Sequence, residues 1–237
     1  MRIYFITATD TDAGKTMTSA ALMKQYGRAH YWKPVQTGTD RDQETVRRLS
    51  GASANRLHLG LTFSEPLSPH RAAELDNQEI HLQDLDQRYE QVCYQVNASV
   101  RDAASEEEPI LFIEGAGGLL VPINRQCLWP HWLQGKDLSI ILVCRTGLGT
   151  INHSLLSVEA IRARNLPLAG LVFFGPENPD NQRTIQEFSG ASIIGQFDVP
   201  DHPGGPGGGS AETHTWALPA ALDASGLLLQ SSHQKAQ

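Results

Sequence analysis

Gly14, Lys15 and Thr16 stand where an apolar run, IYFIT (3–7), gives way to a helical pattern, KTMTSAALMKQYG (15–27). A glycine, a lysine and a hydroxyl at a strand-to-helix junction can hold a phosphate chain. Backbone N–H groups and the positive helix end face the oxygens, the lysine neutralises them, and the threonine can reach a magnesium ion. Asp10, Thr11, Asp12, Ala13, Gly14, Lys15, Thr16 and Met17 are therefore candidate contacts for ATP, or another nucleoside triphosphate, with Mg²⁺. The first glycine of the G-x-x-x-x-G-K-[ST] pattern is missing: Thr9 occupies its place, and Ala8 precedes it. The alternative is a strand-turn-helix in which the Gly-Lys-Thr is coincidental.

Three further segments carry chemistry. In YWKPVQTG, Pro34 pushes Lys33 toward an extended backbone near the end of a strand. Ligands of open parallel sheets bind at strand carboxyl ends, although most lysines are simply solvated. Glu114 closes the apolar run of PILFIEGAGG (109–118), where a carboxylate is costly without a partner. Mg²⁺ is one partner, and a buried arginine is the other. The glycines after Glu114 let backbone approach a ligand closely. Asp42 is a second candidate acid, in the polar segment TGTDRDQETVRRLSG (37–51), where solvated loop acids are common. RTGLGTINH (145–153) reads either as a helix N-terminus open to an anion or as an ordinary left-handed turn before a helix.

These segments need a scaffold, and the hydrophobic pattern supplies one. YWKPV (31–35), DLSIILVCR (137–145) and LAGLVFFG (168–175) join 3–7 and 109–118 as buried-strand runs. Helical patterns separate them: 15–27 ending at Gly27, 82–104 with Leu85, Tyr89, Val92 and Val96 on one face, and 150–165. Apolar strands alternating with helices predict an α/β doubly wound domain, its mainly parallel sheet covered on both faces. We assign it to residues 1–200. Residues 201–215 read as a Gly/Pro-rich flexible segment, and 216–237 as a tail with one docked helix over 216–230.

Composition narrows the classes. The chain has 237 residues, net charge −7 and five lysines, which disfavours nucleic acid as a partner. No apolar run reaches the ~18 residues of a membrane span, and no signal peptide is visible at Met1. Cys93, Cys127 and Cys144 form neither a disulfide framework nor a zinc pattern, and suit a reducing cytoplasm.

TDTDAGKT, KPVQTG, SPHRAA, EGAGGLLVP and RTGLGTINHSLL occur in this order between residue 3 and about 175. Gly-Lys-Thr alone is weak evidence, but this set is specific, and it resembles the dethiobiotin synthetase family. The resemblance implies a P-loop NTPase fold and a homodimer. It also implies a reaction, ATP- and Mg-dependent ring closure of 7,8-diaminopelargonic acid with CO₂ or bicarbonate through a carbamate and a carbamic-phosphoric anhydride. It further implies roles: Lys15 and Lys33 neutralise the γ-phosphate and carbamate; Thr16, Asp42 and Glu114 hold Mg²⁺; Thr11 and Thr37 orient the reacting groups. The Gly117–Gly118 turn would border the diamine. Thr150, Ile151 and Asn152 would receive the substrate carboxylate from the other subunit.

Two departures from the family pattern carry expectations. The family loop usually begins with glycine where Ala8 stands, so binding should survive if Ala8 has a negative φ. The family often has an asparagine reading adenine where Phe174 stands, so base preference should be relaxed. The rivals are a P-loop switch ATPase acting through a protein partner and a non-catalytic homologue. Retention of Lys15, Thr16, Lys33 and Glu114 argues against the latter.

Overall fold

A computed structural model describes residues 1–39, 41–102 and 108–197. Asp40, the Gly/Pro-rich segment and the expected tail helix lie outside the described residues. Seven strands, β1 (Arg2–Ala8), β2 (His30–Thr37), β3 (Leu57–Phe63), β4 (Ile110–Glu114), β5 (Ser139–Arg145), β6 (Leu168–Phe174) and β7 (Ile193–Phe197), form one parallel sheet. Their order is β3-β2-β4-β1-β5-β6-β7, so β4 is inserted between the first two strands of the chain. The connections carry α1 (Lys15–Gln25), α2 (Asp42–Ser50), α3 (Pro69–Leu75), α4 (Leu82–Asp102), α5 (Trp129–Leu133), α6 (Thr150–Arg162) and α7 (Pro179–Ser189).

Strand alternation divides the apolar side chains between two cores. Ile3, Phe5, Trp32, Leu111, Ile113, Leu142 and Phe173 face one side, packed with Leu85, Val92, Val96, Trp129, Val158 and Ile185 from helices α4 to α7. Tyr4, Ile6, Ala8, Tyr31, Phe112 and Val143 face the other, against Ala20, Leu22 and Met23 of α1 and Val46 of α2. Because both faces are covered, β1, β4 and β5 are apolar almost throughout. This is the doubly wound α/β fold expected from the sequence.

Three local readings need correction. The polar segment at 37–51 holds a helix, α2, and Asp42 opens that helix rather than lying in a loop. Of the helix, only Val46 is fully buried, so its apolar signal is slight. α1 ends at Gln25 with Tyr26 as its cap, and Gly27 is not left-handed. Edge strand β3 was missed because its residues are mostly half-exposed, apart from Phe63.

A histidine pair ties the amino-terminal end of β2 to β3. His30 Nδ1 lies 2.9 Å from His58 Nε2, the rings stack with centroids 5.2 Å apart, and His30 Nε2 lies 3.1 Å from Ser99 Oγ. Burial, then the His58 and Arg56 charges, push the pKa of His30 down to about 4. Burial also lowers His58. An unfolded histidine titrates near ~6.5, so between that value and about 4 the unfolded chain binds the extra proton. Stability therefore falls as pH drops through this window. We expect unfolding free energies from denaturant titrations at pH 7 and 5 to differ by on the order of 1–2 kcal/mol after solvent screening. His30→Gln should flatten that slope, and an unchanged slope would assign acid sensitivity elsewhere.

Candidate active site

The carboxyl ends of β1, β2 and β4 open into a cleft of about 440 Å³, lined by Thr11, Asp12, Gly14, Lys15, Thr16, Met17, Lys33, Thr37, Asp42, Glu114, Gly117 and Phe174, among others. Each strand contributes by where it stops. β1 ends at Ala8, buried and not left-handed, so the alanine's Cβ brings no backbone strain there. Left-handed backbone falls instead at Asp12 (φ 53°) and Gly14 (φ 93°), the turn that aims the N-terminus of α1 into the cleft. A Cβ on Gly14 would lie 2.2 Å from Phe174 Cγ, so the Phe174 ring packs directly on this turn.

Lys15 is buried, and its Nζ donates to the Asp10 carbonyl at 3.2 Å. Burial lowers its pKa, and Lys33 adds to that, while Glu114, Asp42 and Asp12 oppose it. The loop is held from outside by Arg145, at the end of β5, which donates to the Thr11 carbonyl at 3.0 Å.

Lys33 is 4% exposed and Glu114 is fully buried. Lys33 Nζ sits 2.7 Å from Asp42 Oδ2 and 2.8 Å from Glu114 Oε1. Burial favours the neutral amine, but the two carboxylates outweigh it, and Lys33 titrates above the usual lysine range. Asp42 is raised by burial and pulled down further by Lys33, Thr16 and Lys15, for a net lowering. Thr16 Oγ1 lies 3.0 Å from Asp42 Oδ1 and 2.9 Å from Glu114 Oε1, and its one hydrogen serves one of them at a time. The other Glu114 oxygen accepts from Ser19 at 2.6 Å and Tyr31 at 3.0 Å.

Among the described residues no cluster of three or more His, Cys, Asp or Glu could hold a metal. The oxygens of Thr16, Asp42 and Glu114 nevertheless converge within 3.0 Å contacts at the N-terminus of α1. A hard cation that takes one or two carboxylates, with the rest of its shell from phosphate and water, fits this all-oxygen set.

The remaining sequence candidates fall elsewhere. Ala13 is buried in the core beneath the loop. Asp10 and Gly118 line a neighbouring groove of about 310 Å³ with Thr11, Leu120 and Leu156. Thr150 is buried and donates to the Arg145 carbonyl, Ile151 is half-buried and Asn152 exposed, and none of the three lines the cleft.

A family model described as an AAA domain matches residues 2–203. The ATP-dependent dethiobiotin synthetase of Paramagnetospirillum magneticum is 40% identical over 83% of this chain and 88% of its own. That of Novosphingobium aromaticivorans is 39% identical over 84% and 92%. The chain belongs to the dethiobiotin synthetase family. The Nitrobacter hamburgensis synthetase, 41% identical over 81% and 84%, extends the match to a third organism.

Three residues of this synthetase-family site escaped sequence reasoning. Tyr31 lies two residues before Lys33 on the same strand face, and Ser19 lies one turn after Lys15 and Thr16 on α1. Both spacings were available as signals. Arg145 opens the RTGLGTINH segment, but nothing in the sequence marked its role, because its partner is a backbone carbonyl 134 residues away.

Proposed function

We propose that this protein closes the ureido ring of dethiobiotin from 7,8-diaminopelargonic acid, CO₂ and Mg-ATP. The observation that carries the reading is the convergence of two lysines on one cleft: Lys15 from the phosphate loop and Lys33 from β2, bracketing Thr16, Asp42 and Glu114. One substrate amine adds to CO₂ and loses a proton, giving a carbamate. A carbamate oxygen attacks the γ-phosphorus and ADP leaves. The second amine then attacks the carbamoyl carbon, loses its proton and expels phosphate. Every nucleophile belongs to the substrate, so the protein's work is positioning and charge neutralisation.

Lys15 and the α1 N-terminus hold the β/γ-phosphates, and Lys33 balances the carbamate. Thr11 and Thr37 orient the reacting groups by hydrogen bonds. Thr16, Asp42 and Glu114 would hold Mg²⁺, which would supply charge neutralisation on the phosphate oxygens. The Gly117–Gly118 turn borders the diamine.

This reading takes the protein as a homodimer in which Thr150–Asn152, which do not line this chain's own cleft, serve the partner's site. Leu120, Leu148 and Leu156 leave apolar surface exposed on neighbouring segments, which a second copy would cover. The N-terminus of α6 would then receive the carboxylate of the substrate held by the partner.

The decisive experiment is phosphate release with Mg-ATP, bicarbonate and the diamine, against controls omitting each. Diamine-dependent release is expected. Release that ignores the diamine would favour a switch ATPase, and no release with any nucleotide a non-catalytic homologue. Run with CTP, GTP and UTP, the assay also addresses Phe174, whose ring offers a face and no hydrogen bonds to a base. Rates within roughly tenfold across bases are expected. Phe174→Asn should widen the preference for ATP, and equal selectivity in both proteins would remove Phe174 from base recognition.

A further inference from the structure

The oxygens that would hold a divalent cation are already engaged. Asp42 Oδ1 faces Thr16, Asp42 Oδ2 faces Lys33, and Glu114 Oε1 faces both Lys33 and Thr16. Glu114 Oε2 is turned away toward Ser19 and Tyr31. A cation bound at about 2.0–2.1 Å from these oxygens would need Glu114 Oε1, the atom that now accepts the Lys33 ammonium. It would also stand a few ångströms from that ammonium inside a buried site, where like charges repel strongly.

Resting on the functional reading above, we propose that Lys33 is the site's resident counter-ion, displaced from the Asp42–Glu114 pair when the metal–nucleotide complex binds. The displaced ammonium stays tethered to β2, at the cleft wall shared with Gln36 and Thr37, and becomes a receptor for an anion. Carbamate, the anionic form of the substrate, is thus bound cooperatively with the metal–nucleotide complex. Linkage makes the coupling reciprocal: whatever draws Lys33 off the carboxylates strengthens metal binding by the same factor.

The test uses Mn²⁺ binding to the full-length, nucleotide-free protein, followed by electron paramagnetic resonance. Removing a positive charge from a cation site through Lys33→Met should tighten Mn²⁺ binding by at least about tenfold, since two carboxylates lose their competitor. Equal or weaker binding by the folded variant overturns the proposal. Should the variant fail to fold, the wild-type chain decides the matter by NMR of ¹⁵N-labelled lysine. The Lys33 ammonium signal should shift on Mg²⁺ addition, and an unmoved signal at saturating Mg²⁺ overturns the proposal. The two readings fail separately: ring closure with no cation competition removes this inference alone, and competition without ring closure removes the assigned reaction.

Discussion

Lys33→Ala lowers diamine-dependent phosphate release by about 10³-fold, the scale of losing a preorganised charge at a reacting oxyanion. Affinity for metal-free nucleotide should hold, because Lys15 and the backbone of the loop remain. Stability should respond to metal in an unusual way. Without its ammonium, the fully buried Glu114 keeps, among the described residues, the neutral donors Thr16, Ser19 and Tyr31. Breaking a buried ion pair from one side typically costs about 3–5 kcal/mol. Mg²⁺ should restore most of that loss in the variant while changing the wild type less. Steady-state kinetics and denaturant melts with and without Mg²⁺ check both halves. Ring closure retained in Lys33→Ala would take this lysine out of the mechanism.

Glu114→Gln should be nearly as severe, for a geometric reason. If the amide oxygen accepts from Ser19 and Tyr31, the amide nitrogen confronts the Lys33 ammonium, donor against donor, while Thr16 can give its hydrogen to Asp42 and accept. Turning the amide over restores the Lys33 contact but takes the acceptor from the buried Tyr31 hydroxyl, while Ser19 can give its hydrogen to the Lys15 carbonyl. Either choice leaves buried groups unpaired, at about 1–3 kcal/mol, and removes one anionic metal ligand. The Mg²⁺ concentration for half-maximal activity should rise by about 10–100-fold, the range seen when the support of a metal site is weakened. A Mg²⁺ titration that superimposes on the wild type would exclude Glu114 as a ligand.

The readable parts of this fold were those where one physical signal dominated. β1, β4 and β5 are covered on both faces, so their sequences are continuous apolar runs with few alternatives. α4 showed its Leu85, Val92 and Val96 stripe because one side packs and the other is wet. β3 is made by tertiary contacts rather than local pattern, whereas α2 and α7 carry local signals that were passed over: Gly51 after the one, Asn178, Pro179 and Gly190 around the other. β3 gains its hydrogen bonds from β2, and α2 buries Val46 alone. The site divides in a similar way. The loop, Lys33 and Glu114 were visible because a charge at the end of an apolar strand needs an explanation. Ser19 and Tyr31 were not, because a helix serine and a strand tyrosine are both ordinary until Glu114 arrives between them.

That arrival has a consequence for how the chain is made. Glu114 meets Thr16, Ser19, Tyr31 and Lys33 across sequence separations of 98, 95, 83 and 81 residues. It sits on the strand that fills the slot between β1 and β2. While the chain emerges from the ribosome, β1 and β2 cannot pair with each other in the native order and must wait with open edges until more than a hundred residues have been synthesised. No fragment ending before Glu114 can assemble the cleft. Nucleotide binding by stalled nascent chains of increasing length should therefore begin abruptly, only after β4 clears the exit tunnel, and native Glu114 contacts would then serve as a timer for completion of the central sheet.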